Sequence, residues 1–222
     1  MLFDYPTKAR FGRKIPKSKL YENASANTKL KDKFVNQIEK IVWQYKLAPN
    51  TLNLDATNKV PEIQVFDIFL KTKEVDQTLL EVIDKAIPLP IIFQIHKGNK
   101  VKIKAAYKRP SESANNKWVI ESYFESEWLD KDVVKQPMPQ ALDLGKLYEQ
   151  LLKSLMPVDV ISSKTTQTID QQVDKINNIN SLQKELDKLN SKYKKEKQHN
   201  RQFEINKQIK LKQKELNHLT KA

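Results

Sequence analysis

The chain of 222 residues contains no cysteine, which excludes disulfides, thiolate nucleophiles and Cys-ligated zinc or iron–sulfur centres. Its three glycines, Gly12, Gly98 and Gly145, stand far apart, so there is neither a glycine-rich phosphate loop nor a serine in a glycine-flanked elbow. Nucleotide hydrolysis is accordingly not expected. Of the three histidines, His96 sits at a strand end, while His199 and His218 lie on one helix at a spacing of 19 rather than three or four. No His-based metal site and no cofactor follow from them. No apolar run approaches the ~18 residues of a membrane helix, and the opening MLFDYPTKAR lacks the sections of a signal peptide. A cytoplasmic protein is expected.

Arginine is also scarce. Of the 40 basic residues all but Arg10, Arg13, Arg109 and Arg201 are lysine, which favours diffuse attraction to a phosphate backbone over readout of base edges. The excess positive charge is uneven: residues 1–50 and 151–222 each carry +7 of the net +13, and the middle is close to neutral. Basic ends on a neutral core favour anionic partners. The same lysine, asparagine and isoleucine richness would also arise from an A/T-biased coding sequence.

What is present builds a domain. Hydrophobic residues make up 39% of the chain and include three Trp and eight Phe, enough for a packed core. Residues 1–27, broken by Pro6, Gly12 and Pro16, are expected to form a basic extended strap with Leu2, Phe3, Tyr5, Phe11, Ile15 and Tyr21 lying on the domain. A domain over 28–157 follows. Its first helix is predicted from Thr28 to Lys46, with Leu30, Phe34, Ile38, Ile41, Val42 and Tyr45 at helical spacing. EIQVFDIFLK at 62–71 reads as a buried strand, Asp76 caps a helix, and PIIFQIH at 90–96 is a second strand. A turn at 97–100 leads into VKIKAAYK, where Val101, Ile103, Ala105 and Tyr107 alternate with Lys102, Lys104 and Lys108, predicting one wet basic face. Residues 118–128 form the last strand, and a helix from Leu142 to Leu155 ends before Pro157. The fold class is α/β of the α+β kind: a small mixed sheet of about four strands with flanking helices.

A linker at 158–167 then precedes residues 168–222, which hold neither Gly nor Pro. There Leu182, Leu186, Leu189 and Tyr193, then Ile205, Ile209, Leu216 and Leu219, form a narrow stripe spaced three and four apart. This reads as a coiled-coil helical arm, either one interrupted helix or a bent pair, since KKEKQHNRQ at 194–202 has no apolar residue. A narrow stripe needs a partner: a second copy, as in a homodimer through the arm, its own domain, or another protein.

Two chemistries can be read onto these elements. Glu62, Asp67, Glu121 and Glu125 lie on or beside predicted strands, where metal-dependent nucleases place acidic ligands, but the acidic–spacer–Lys triplet of such sites is missing. A solvated or Lys-paired surface opposite Lys102 and Lys104 is the better account of Glu121 and Glu125. The second is nucleic-acid binding: Lys8, Arg10, Arg13, Lys14, Lys17 and Lys19 stand in an aromatic-interleaved segment, and Lys194, Lys195, Lys197 and Arg201 form a basic cluster on the arm.

The segments FDYPTKARFGRKIPK, WQYKLAPNTLNL, EIQVFDIFLK, IPLPIIFQI and KEKQHNRQFEINKQIK resemble a bacterial domain-of-unknown-function family, number 4391 in its series, over nearly the whole chain. The resemblance brings no catalytic motif. What it implies is an accessory protein encoded beside helicases and DNA methyltransferases in restriction or phage-defence islands. The expectation is a non-catalytic accessory or assembly subunit that docks on a helicase or methyltransferase and holds DNA backbone through its basic surfaces. A divergent metal-dependent nuclease and a coiled-coil oligomerisation protein without nucleic-acid binding are the alternatives.

Overall fold

The computed structural model describes residues 2–23, 27–111, 118–157 and 167–221. By its internal contacts the chain divides into two units, 1–156 and 157–222. The expected linker at 158–167 lies outside the described residues except for Gln167.

The first unit is built on a seven-stranded mixed sheet, larger than the four strands expected. In chain order its parts are β1 (Phe3–Asp4), a 3-10 turn (Thr7–Ala9), β2 (Arg10–Ile15), α1 (Lys17–Asn23), α2 (Thr28–Gln37), β3 (Ile38–Leu47) and α3 (Pro49–Leu52). Then come β4 (Ile63–Leu70), α4 (Gln77–Ala86), β5 (Ile91–Lys97), β6 (Lys100–Pro110), β7 (Trp118–Glu125), β8 (Leu129–Asp130), β9 (Gln136–Pro137) and α5 (Leu144–Lys153). The spatial order is β2-β3-β4-β5-β6-β7, with β8 pairing β6, while β1 and β9 form a separate two-stranded ribbon. β4 and β5 are parallel, joined by α4, and every other pair in the large sheet is antiparallel.

Two segments differ from expectation. The helix predicted from Thr28 to Lys46 stops at Gln37, and the chain continues directly as β3. Ile38, Ile41, Val42, Trp43 and Tyr45 are β-branched or aromatic and fit a pleated surface, and β3 finds ladder partners on both sides in β2 and β4. The opening segment, expected to be extended throughout, is so only in part. Residues 10–15 are extended but enter the sheet as its edge strand, and residues 17–23 are helical. Pro16 immediately precedes that helix, where its missing N–H costs no hydrogen bond, and its carbonyl accepts from Lys19 N–H at 3.2 Å.

Each face of the sheet has its own cover. Phe66, Ile68, Leu70, Phe93 and Ile95 point to one side, where Phe34, Leu79, Leu80 and Ile83 from α2 and α4 complete a fully buried cluster. The opposite side meets α5, whose Leu144, Leu147, Leu151 and Leu152 are buried, and the N-terminal Leu2 and Tyr5.

The second unit is a pair of helices, α6 (Ile169–Lys195) and α7 (His199–Lys221). The segment expected as a coiled-coil arm is thus two helices folded back on one another through residues 196–198. Leu182, Leu186 and Leu216 form their shared core with Ile179, Ile209 and Leu219, and Lys212 reaches across to Glu185 at 3.0 Å. Thr168 caps α6 in a reciprocal arrangement with Gln171.

Candidate functional site

The four carboxylates singled out above are not brought together. Glu62 pairs with Lys46 at 3.0 Å and accepts from Gln64 Nε2 at 2.9 Å. Glu121 accepts from Arg109 Nε at 2.5 Å. Glu125 accepts from Lys104 at 2.7 Å and Lys102 at 3.2 Å; burial opposes its ionisation, but the two ammonium groups outweigh burial and hold the carboxyl below the usual glutamate range. Asp67 points to the other face of the sheet from Glu125, because Phe66 aligns through Phe93 and Lys104 with Glu125. There it is buried, with His96 Nε2 3.0 Å from Oδ1. Among the described residues no group of three or more His, Asp or Glu could hold a metal ion.

The strongest buried polar feature is one that alternation concealed. Lys108, expected on the wet face of β6, has a fully buried side chain. Its ammonium lies 2.7 Å from Asp84 Oδ1 and donates to the carbonyls of Asp84, Ile87 and Leu89 at 2.9, 3.1 and 2.8 Å. The other Asp84 oxygen accepts a short hydrogen bond from the Tyr123 hydroxyl. Tyr148 on α5 donates to Ala106 O at 2.5 Å and accepts from Lys108 N–H at 3.1 Å. Burial pushes the Asp84 carboxyl up and the Lys108 amine down, with the ion pair opposing both. Every donor of the ammonium is taken, so this group ties the C-terminal end of α4 to β6 and carries no open position for chemistry. The signal available in the sequence was Ala106, which interrupts the lysine alternation where α4 covers the sheet.

The basic edge has the opposite character. β2 pairs β3 on one side only. Arg10, Arg13 and Lys14 along it, with Lys8 before and Lys19 after, are exposed and in no salt bridge among the described residues. Gly12 at φ +66° lies in the irregularity between Arg10 and Arg13, a backbone state open to glycine at little cost. The Phe11 ring packs 4.2 Å from that of Trp43, and the Arg13 guanidinium lies 4.7 Å over Phe11. Trp43 in turn meets Phe66 in the core, 6.1 Å between centroids, so this aromatic-backed edge is anchored rather than loose. Lys17 is different: its ammonium donates to Ile38 O at 2.7 Å, and desolvation, then Lys71 and Lys14, draw its amine below the ordinary lysine range. The two charged groups that act on it, Lys71 and Lys14, are both cations, an arrangement that gains from an added anion.

On the helical hairpin, Lys194, Lys195, Lys197 and Arg201 gather around the turn at 196–198, all exposed. Glu196 accepts there from the N–H groups of Lys197 and Gln198 at 2.9 and 3.0 Å. The eight residues expected as a partner interface are largely used within the pair itself: Leu182, Leu186, Ile205 and Leu216 are buried, Leu189, Ile209 and Leu219 partly so, and only Tyr193 is exposed.

With this geometry in place, the family described as a domain of unknown function, DUF4391, matches residues 3–216. The chain belongs to the DUF4391 family. That match takes in both the sheet unit and the helical hairpin. No curated protein matches the chain, and no solved structure matches it.

Proposed function

We propose that this DUF4391 protein is a non-catalytic accessory subunit of a bacterial DNA-processing or phage-defence complex, gripping nucleic-acid backbone along the β2 edge. The observation that carries the reading is the contrast between charges. The four candidate carboxylates each have a basic neighbour, whereas Lys8, Arg10, Arg13, Lys14 and Lys19 stand exposed without an acidic partner among the described residues. Phe11 and Trp43 beneath them supply the aromatic surface on which unpaired bases stack. The resemblance to accessory proteins encoded near helicases and DNA methyltransferases supports such an enzyme as the partner.

The test is the salt dependence of binding to a short single-stranded or duplex oligonucleotide. Each phosphate contact removed should flatten the log–log slope by about 0.9 on duplex and about 0.7 on single strands. Arg10→Ala, Arg13→Ala and Lys14→Ala together are expected to lower it by about two to three. An unchanged slope would remove the edge from the binding surface. Magnesium-dependent cleavage lost in Glu121→Ala would replace the accessory reading with the nuclease one.

A further inference from the structure

The stripe of the C-terminal hairpin closes on itself, yet the hairpin carries a second apolar feature that this packing does not use. Leu189 on α6 and Leu211 on α7 line a groove of about 380 Å³ along one flank, walled by Glu185, Lys188, Gln208 and Lys212. Leu211 is 59% exposed; it stands two residues from Ile209 and so points off the seam between the helices. The Lys212–Glu185 bridge, 3.0 Å long, spans the two walls. Beyond the groove, Lys188, Lys192 and Lys195 follow one another at spacings of four and three along the same side of α6, with Asp187 the one acid beside the three cations. None of these three is in a salt bridge among the described residues.

Charge selects the occupant. Residues 169–221 hold thirteen Lys and Arg against seven Asp and Glu. A second copy would bring the same net positive charge to this flank rather than a complementary one. A phosphate backbone would satisfy the lysines but leave Leu189 and Leu211 without a role. An apolar floor beside an unpaired lysine row fits a helix that is apolar on one face and acidic on its flank. We propose that this groove docks an acidic amphipathic helix of a partner protein. The proposal rests on the accessory-subunit reading only for the existence of a protein partner.

The experiment uses the full chain and two synthetic helical peptides of about 20 residues. Both carry leucine at i, i+3, i+7 spacing; one has glutamate on the flanks and the other lysine at the same positions. Fluorescence anisotropy should show the acidic peptide binding at least about tenfold tighter. Leu211→Asp should weaken it at least about tenfold, because an exposed leucine that the peptide would cover is replaced by a charge of the peptide's own sign. Joint Lys188→Glu, Lys192→Glu and Lys195→Glu should invert the preference between peptides. All four side chains lie off the seam, so the helical circular dichroism should be retained. Equal affinity for both peptides, no binding up to about 1 mM, or indifference to Leu211→Asp would overturn the proposal. So would a dimer, detected by sedimentation, that dissociates in Leu211→Asp, since that assigns the groove to a second copy. The Arg10, Arg13 and Lys14 substitutions should leave peptide affinity unchanged, so failure at the β2 edge and failure at this groove are read separately.

Discussion

At the scale of single residues, the Asp84–Lys108 pair shows how far a buried charge can be committed to architecture. Removing water from two ions costs several kcal/mol each, and the cost is offset only when the remaining donors are satisfied. Here three carbonyls and a carboxylate surround one ammonium. Lys108→Met leaves Asp84 buried with only Tyr123 donating to its side chain and should lower unfolding free energy by about 3–5 kcal/mol, measured by urea titration. Lys108→Met combined with Asp84→Leu removes both charges and should recover part of that loss. A double variant no more stable than the single one would show that the clamp depends on something other than the pair.

Asp76 supplies a residue-level effect with a defined pH range. Its side chain caps α4 through Thr78 N–H at 2.9 Å and pairs closely with Lys33. The Lys33 ammonium, then the Thr78 hydroxyl and amide, pull its carboxyl down to about 2. Because the folded value lies below the unfolded one of about 3.9, the stabilisation is full above pH ~5 and is lost as the pH falls toward 2. Asp76→Asn keeps a good cap but loses the ion pair. It should cost about 1 kcal/mol at pH 7, after allowance for solvent screening, and the difference from the unsubstituted chain should shrink through pH ~2 and vanish below it.

At the scale of elements, the parts that sequence patterning identified share a feature: each has one period and a clear stop. β4 and β5 are short apolar runs, and α4 opens on Asp76 and ends before Pro88. β3 was illegible for a particular reason. Phe34, Ile38, Ile41, Val42 and Tyr45 satisfy helical spacing, while Ile41, Trp43 and Tyr45 satisfy strand alternation, and nothing local decides between them. The decision comes from β2 and β4, which lie 30 and 23 residues away in the chain by the ladder pairs Arg13–Trp43 and Trp43–Phe66 and hydrogen-bond β3 on both sides. The candidate site was legible in part. Arg10, Arg13 and Lys14 are exposed, whereas the Lys17 ammonium donates to Ile38 O at the helix–strand junction, a contact across 21 residues that local patterning does not reveal. The hairpin follows from the 194–202 segment, where an apolar gap with a Glu196 cap allows the chain to reverse.

At the scale of the whole molecule, the two units draw their cohesion from separate sources. The sheet unit has its own apolar cluster drawn from α1, α2, β3, β4, α4 and β5, whereas the hairpin holds its small core of Leu182, Leu186 and Leu216 between α6 and α7. A two-helix core of this size is a marginal one, since helical stability derives chiefly from tertiary packing of the apolar face. Leu186→Asp therefore puts a charge at a position 2% exposed and should unfold the hairpin, lowering far-UV helical dichroism. The sheet unit, with Trp43, Trp118 and Trp128 all on it, should keep its near-UV tryptophan signal and its cooperative urea transition. If that signal collapses with the hairpin, the two units fold as one cooperative body, and their separate cores are insufficient alone. If it survives, the +6 carried by residues 157–222 can be withdrawn by truncation without disturbing the β2 edge, and the contribution of each basic end to nucleic-acid affinity can be read as a difference in salt slope.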